Sequence, residues 1–171
     1  MESPVSEKTY NVLFLCRHNS ARSIMAESLL RKWGRGRFAA FSAGSHPAEK
    51  AHPSALALLE AANLDTSGLR PKSWDTFSGP DAPTMDFVIT VCEATAAETC
   101  PVWPGGPMTT QWSVEDPAAA PEALQARAFR NAFLVLEARV KLFTALRVET
   151  LDALVLKRRL DDIGDQGETG S

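Results

Sequence analysis

Cysteine and positive charge are both scarce in this chain. Its three cysteines among 171 residues are too few for the disulfide framework of a small secreted domain, so we expect reactive or buried thiols in a reducing compartment. A net charge of −3 leaves no basic surface, which argues against nucleic acid or an anionic membrane as the main partner. No apolar run is long enough to cross a bilayer, and residues 1–8 are too polar for a signal peptide. We therefore expect a cytoplasmic protein.

Short apolar runs alternate with helical segments, and a hydrophobic content of 44% suffices for one domain with a full core. Residues 10–15 and 87–91 have the continuous apolar character of strands buried on both faces of a parallel sheet. Further strands are predicted at 38–43 and 108–112, and helices at 23–33, 53–62 and 121–146. This order predicts an α/β fold, a single three-layer domain with a doubly wound four-stranded parallel sheet and helices on both faces.

One face of the longest predicted helix is apolar. Its apolar residues recur at alternating steps of four and three, at Phe129, Phe133, Leu136, Val140 and Phe143. This is the spacing of a helical face packed on a sheet. We interpret the stripe as part of the core rather than as a cofactor site.

The segment from Cys16 to Ser23 carries the most specific chemical signal. It lies between the first strand and the first helix, so the N–H groups of the loop and the positive end of the helix would face a bound anion. The same field lowers the pKa of a thiol, which predicts a Cys16 thiolate at neutral pH. Arg22 would hold the oxyanion through a bidentate guanidinium fork. The pattern indicates chemistry on phosphate or arsenate, although the spacing alone also suits a buried cysteine near a surface arginine.

The run from Cys16 to Glu27 resembles the phosphate loop of the low-molecular-weight tyrosine phosphatase superfamily, and in particular its arsenate reductase branch. The resemblance implies that Ser23 stabilises the thiolate and that Asn19 holds the shape of the loop. It also implies that the oxyanion lies against the residues after the cysteine, which are Arg17, His18, Asn19, Ser20, Ala21, Arg22 and Ser23. The phosphatases usually carry a glycine at the position of His18 and a second cysteine at that of Ala21.

The resemblance covers most of the chain and suggests how it is divided. We predict an N-terminal extension at 1–9, a phosphatase-like domain at 10–146, and a C-terminal helix with a flexible tail at 147–171. The reductase branch works with redox cysteines, so no organic cofactor is expected.

Two further cysteines bear on the chemistry. Cys92 directly follows the predicted strand 87–91, and a parallel sheet would place it at the same edge as Cys16. Cys100 lies eight residues further along, and an extended chain of this length spans up to roughly 28 Å. We hypothesise that Cys16 attacks arsenate, Cys92 attacks the sulfur of the adduct, and Cys100 resolves the resulting disulfide. Each thiol could instead be a buried core residue, and no metal is predicted because the spacings do not match paired zinc ligands.

Asp116 and Pro117 form the remaining chemical element. The resemblance makes Asp116 the general acid that protonates the departing oxygen, whereas an aspartate followed by proline is by itself a common turn. Alanines follow at 118–120, where the phosphatases carry aromatic residues that bind phosphotyrosine, and this favours a small inorganic oxyanion. Some reductases of the family bind a potassium ion. The resemblance offers as equivalent ligands Asn19, Glu27, Ser42, Ser73 and Asp75. Ordinary helix caps and turns explain these residues equally well.

Three functions remain open. Our leading hypothesis is reduction of arsenate to arsenite, with phosphate as a competing anion and with thioredoxin, or glutaredoxin and a low-molecular-weight thiol, as external reductant. The alternative is hydrolysis of phosphate monoesters by a low-molecular-weight protein tyrosine phosphatase, which needs Cys16, Arg22 and Asp116 but not Cys92. An oxyanion-binding module without turnover is the weakest of the three hypotheses, because the nucleophile, arginine and acid together form a complete catalytic set.

Overall fold

The computed structural model describes residues 8–92, 101 and 103–165. In this part of the chain, four strands form one parallel sheet in the order β2–β1–β3–β4. The strands are β1 (Tyr10–Cys16), β2 (Phe38–Gly44), β3 (Phe87–Thr90) and β4 (Met108–Gln111). The helices are α1 (Arg22–Trp33), α2 (Pro53–Ala61), α3 (Gln125–Thr144) and α4 (Ala153–Asp165). The predicted α/β fold with a parallel sheet is confirmed.

Strand β1 separates two apolar clusters, because its side chains alternate between the two faces of the sheet. Val12 and Phe14 belong to the cluster that contains the buried residues of the helices. Leu13 and Leu15 pack on the other side, where a short 3-10 helix, Trp74–Phe77, contributes to the second cluster. All four strand residues are fully buried, which explains why the run is apolar throughout.

The strand order places the carboxyl ends of β1 and β3 side by side. The chain winds from β1 through α1 to β2 on one side, while β3 pairs with β1 on the other side. Open α/β sheets bind their ligands at such a reversal of the winding direction. Leu15 pairs with Thr90 in this register. Cys16 and Cys92 therefore follow neighbouring strands at one edge of the sheet.

Helix α3 carries the predicted apolar stripe, and all five of its residues are buried. The ring centroid of Phe143 lies 4.7 Å from that of Phe38 and 5.4 Å from that of Phe87. The helix begins at Gln125, later than the sequence predicts, because the preceding residues form a 3-10 turn, Glu122–Leu124. The stripe is a core element, as we expected.

Helix α4 packs against the edge strand β4. Trp112, directly after this strand, is fully buried, and its indole Nε1 donates to the carbonyl oxygen of Leu160 at 3.1 Å. The hydroxyl of Thr110 donates to Asp161 Oδ1 at 2.7 Å. Among the described helices, none is long and apolar enough to cross a membrane.

Replacing Phe143 by alanine tests how far stability depends on the α3 stripe. We expect the free energy of unfolding to fall by about 3 to 5 kcal/mol, the usual cost of removing a buried aromatic ring, as measured by urea denaturation followed by circular dichroism. The control is Leu142→Ala in the preceding position, because Leu142 is 44% exposed and such surface changes cost about 0.5 kcal/mol or less. Equal losses in the two variants would contradict this packing.

Candidate active site

The loop between β1 and α1 is held through its own carbonyl groups. The carbonyl oxygens of Arg17, His18 and Ser20 accept hydrogen bonds of 2.8 to 2.9 Å from backbone N–H groups in the segment 46–52. This segment does not line the pocket beside Cys16. The negative ends of these peptide dipoles are therefore engaged away from the place where an anion would bind.

Asn19 lies at the centre of the loop, fully buried and with a positive φ of 49°. Asparagine tolerates this left-handed conformation better than most residues do. Its Nδ2 donates to the hydroxyls of Ser23 and Ser42 at 2.7 and 3.0 Å, and its Oδ1 accepts from the backbone N–H of Lys72 at 2.9 Å. One side chain thus connects the loop to α1 and β2.

A small pocket lies at the carboxyl end of β1. Its lining brings together many of the predicted site residues and one further alanine, namely Cys16, His18, Ser20, Ala21, Arg22, Asp116 and Ala118. Asn19 and Ser23 are fully buried in the network that supports the loop, and Arg17 does not line the pocket. The predicted resolving residue Cys100 lies outside the described residues.

The guanidinium of Arg22 is held by the segment that follows β4. Arg22 is only 8% exposed, its Nη1 donates to the carbonyl oxygen of Val114 at 2.9 Å, and its Nη2 lies 3.7 Å from Asp116 Oδ2. Asp116 also accepts at Oδ1 from the backbone N–H of Ala118 at 3.0 Å. Sequence analysis missed Val114 and the segment 46–52, because both act through backbone groups that no side chain reveals.

The thiols of Cys16 and Cys92 are in hydrogen-bond contact and are not joined by a disulfide. Both residues are 2% exposed. The sulfur of Cys92 also accepts a hydrogen bond from the backbone N–H of Arg17 at 3.2 Å. The two thiols predicted to share one edge of the sheet thus touch each other.

This contact determines the acidity of the candidate nucleophile. The hydrogen bond with the Cys92 thiol, followed by burial, raises the pKa of Cys16 well above its usual value. The charge of Arg22 and the backbone N–H of Arg17 act in the opposite direction but do not outweigh these causes. The predicted lowering of the pKa of Cys16 is therefore wrong, because the sequence did not reveal that a second thiol lies beside the first.

The residues that the resemblance offered as potassium ligands have protein partners in this structure. One carboxylate oxygen of Glu27 accepts from the hydroxyl of Ser42 at 2.5 Å, and the other is paired with Arg31. The hydroxyl of Ser73 instead accepts from the backbone N–H of Asp75 at 3.1 Å. In the described ranges, no group of three or more His, Cys, Asp or Glu residues could hold a metal ion.

Residues 11–153 match the family model described as low molecular weight phosphotyrosine protein phosphatase. The chain belongs to this family. It is 33% identical over 106 residues to the glutaredoxin arsenate reductase of Synechocystis sp., covering 62% of this chain and 77% of that relative. It is 34% identical over 116 residues to an arsenate reductase of Bacillus licheniformis, covering 68% of this chain and 78% of the relative. A crystal structure of an arsenate reductase from Archaeoglobus fulgidus superposes with a TM-score of 0.63 at 32% identity, covering 79% of this chain and 99% of that chain.

Replacing Cys92 by alanine tests the effect of the thiol contact on Cys16. Because the variant removes the main cause that raises the pKa, we expect the pH midpoint of Cys16 alkylation by iodoacetamide to fall, as measured by mass spectrometry of the Cys16 peptide. Arg22→Gln is a control of opposite sign, because it removes a charge that lowers the same pKa. A midpoint that stays constant or rises in Cys92→Ala would contradict this account.

Proposed function

We propose that this protein reduces arsenate to arsenite, with Cys16 as nucleophile and Cys92 as the thiol that completes the two-electron transfer. The observation that carries the proposal is the contact between these two thiols beside Arg22. Reduction of arsenate needs two electrons, and two thiols supply them when they form one disulfide. Hydrolysis needs no second thiol. The arsenate reductases among the relatives of this chain support the same function.

The pocket has the features that hold a small oxyanion. Arg22 offers a planar guanidinium for two hydrogen bonds, and it is the first residue of α1, whose N-terminal dipole favours negative charge. Inorganic phosphate has the same shape and charge as arsenate and is therefore expected to compete. Among the described residues, no phenylalanine, tyrosine or tryptophan lines the pocket, and Ala118 lies at its wall, which favours a small inorganic substrate over phosphotyrosine.

In the first step, the sulfur of Cys16 attacks arsenic and one arsenic–oxygen bond breaks. With arsenate bound as its monohydrogen dianion, the thiol proton leaves with the departing oxygen as water, so no proton needs to be stored. This path suits a cysteine whose pKa is raised by a neighbouring thiol and by burial. We assign this proton transfer to Asp116 as general acid, and its position in the pocket lining, 3.7 Å from Arg22, supports the assignment.

In the second step, the sulfur of Cys92 attacks the sulfur of Cys16. A sulfur–sulfur bond forms, the electron pair of the sulfur–arsenic bond stays on arsenic, and arsenite leaves with the proton of Cys92. Cys100 then attacks Cys92, which frees Cys16 and leaves a Cys92–Cys100 disulfide. Thioredoxin, or glutaredoxin with a low-molecular-weight thiol, reduces this disulfide, which places the cycle in a reducing compartment such as the cytoplasm.

The second candidate function is hydrolysis of phosphate monoesters. The meeting of Cys16, Arg22 and Asp116 in one pocket favours it, since these groups serve as nucleophile, anion ligand and acid. Both reactions share their first intermediate on Cys16. They differ in whether Cys92 or water removes the transferred group.

Substitution of Cys92 by serine separates the two functions. We expect arsenite formation to fall to background, because no thiol remains in contact with Cys16 to form the first disulfide, while hydrolysis of p-nitrophenyl phosphate persists. The measurements are arsenite yield in the presence of the external thiol system and disulfide mapping by mass spectrometry after one equivalent of arsenate. Cys100→Ser is the matched control and should accumulate a Cys16–Cys92 disulfide while releasing one arsenite. Sustained arsenite formation by Cys92→Ser would overturn the relay.

A further inference from the structure

We propose that helix α4 positions the arginine of the oxyanion site through the end of strand β4, with Gly164 and Trp112 as positioning residues. The family match ends at residue 153, the first residue of α4, so this helix lies almost entirely outside the matched region. The inference rests on the proposed function only in assigning Arg22 to the oxyanion.

Gly164 allows α4 to approach the strand at backbone distance. A Cβ atom at this position would lie 2.4 Å from the carbonyl oxygen of Gln111 and 2.9 Å from Cδ1 of Trp112. Real Cβ atoms do not come this close, and the nearer obstacle is backbone, which cannot rotate away. A glycine inside a helix is otherwise unfavourable compared with alanine. The close approach accounts for its presence here.

The same face of α4 holds three successive residues of the chain at the end of β4. The hydroxyl of Thr110 donates to Asp161 at 2.7 Å, Gly164 lies against Gln111, and the indole of Trp112 donates to the carbonyl of Leu160 at 3.1 Å. Trp112 is fully buried, so its ring has no free space in which to move. The end of the strand is therefore fixed relative to α4.

The chain after Trp112 leads directly to the groups that hold the arginine. The backbone N–H of Val114 donates to the carbonyl of Val91 at 3.1 Å, and the carbonyl of Ser113 accepts from Arg139 at 3.0 Å. Two residues after Trp112, the carbonyl of Val114 accepts from Nη1 of Arg22 at 2.9 Å. A displacement of Trp112 would therefore move an acceptor that orients the guanidinium.

Anion affinity should be sensitive to this displacement. A bidentate guanidinium must match the geometry of the oxyanion, and a shift of one ångström caused by a distant substitution can cost up to about 100-fold in activity. Because neither Gly164 nor Trp112 lines the pocket, we expect their effect to pass through Arg22.

The test measures the concentration of inorganic phosphate that half protects Cys16 from alkylation by iodoacetamide, as read by mass spectrometry. Circular dichroism under the same conditions confirms that each variant is folded. We expect Gly164→Ala to raise the half-protecting phosphate concentration about tenfold, within the range known for misplaced binding groups. Trp112→Phe, which removes the indole donor and part of the buried ring, should act in the same direction and decides the matter if Gly164→Ala does not fold. Gly79→Ala is the matched control, because a Cβ there meets nothing within 4 Å.

A double-mutant cycle distinguishes positioning from general loosening of the fold. In the Arg22→Lys variant, the lysine amine cannot reproduce the guanidinium fork. Adding Gly164→Ala to this variant should therefore weaken phosphate protection little beyond the loss that Arg22→Lys causes alone. An equal, additive loss in both backgrounds would overturn the inference. If Arg22→Lys weakens protection but neither Gly164→Ala nor Trp112→Phe does, only this inference fails. If Arg22→Lys leaves protection unchanged, the proposed role of Arg22 itself is wrong.

Discussion

The parallel pairing of β1 with β3 is the constraint on which the rest of the site depends. Leu15 lies opposite Thr90 in this register, and the two cysteines follow these strands with their thiols in contact. A slip of one residue would turn every side chain of β3 to the opposite face of the sheet. The sheet backbone therefore determines the meeting of the thiols, and its strength comes from apolar side chains buried on both faces.

The contact between the thiols has two opposing consequences. It combines with burial to raise the pKa of Cys16, which limits the reaction of this nucleophile with other electrophiles and oxidants. Once Cys16 carries a bound group, the same contact leaves a second thiol beside its sulfur. A chain with a net negative charge can still bind an anion, because Arg22 and the N-terminus of α1 provide positive charge locally at the pocket.

Much of the site is held by groups that take no part in the proposed chemistry. The segment 46–52 engages the carbonyls of the loop, and Asn19 connects the loop to its neighbours. The segment after β4 holds Arg22 and is itself fixed by α3 and α4. Orientation thus comes from packed secondary structure on several sides of the pocket, which suits a reaction that needs bonds to form along defined directions.

The sequence by itself determined the α/β fold, the loop from Cys16 to Arg22 and the apolar stripe of α3, because period, spacing and turn residues are local properties that the chain displays directly. The tertiary structure alone decided that Cys92 touches Cys16 and raises its pKa, that the carbonyl of Val114 holds Arg22, and that Gly164 lies against Gln111. These features depend on distances between segments far apart in the chain and on backbone groups that every residue shares. No local pattern encodes either of them.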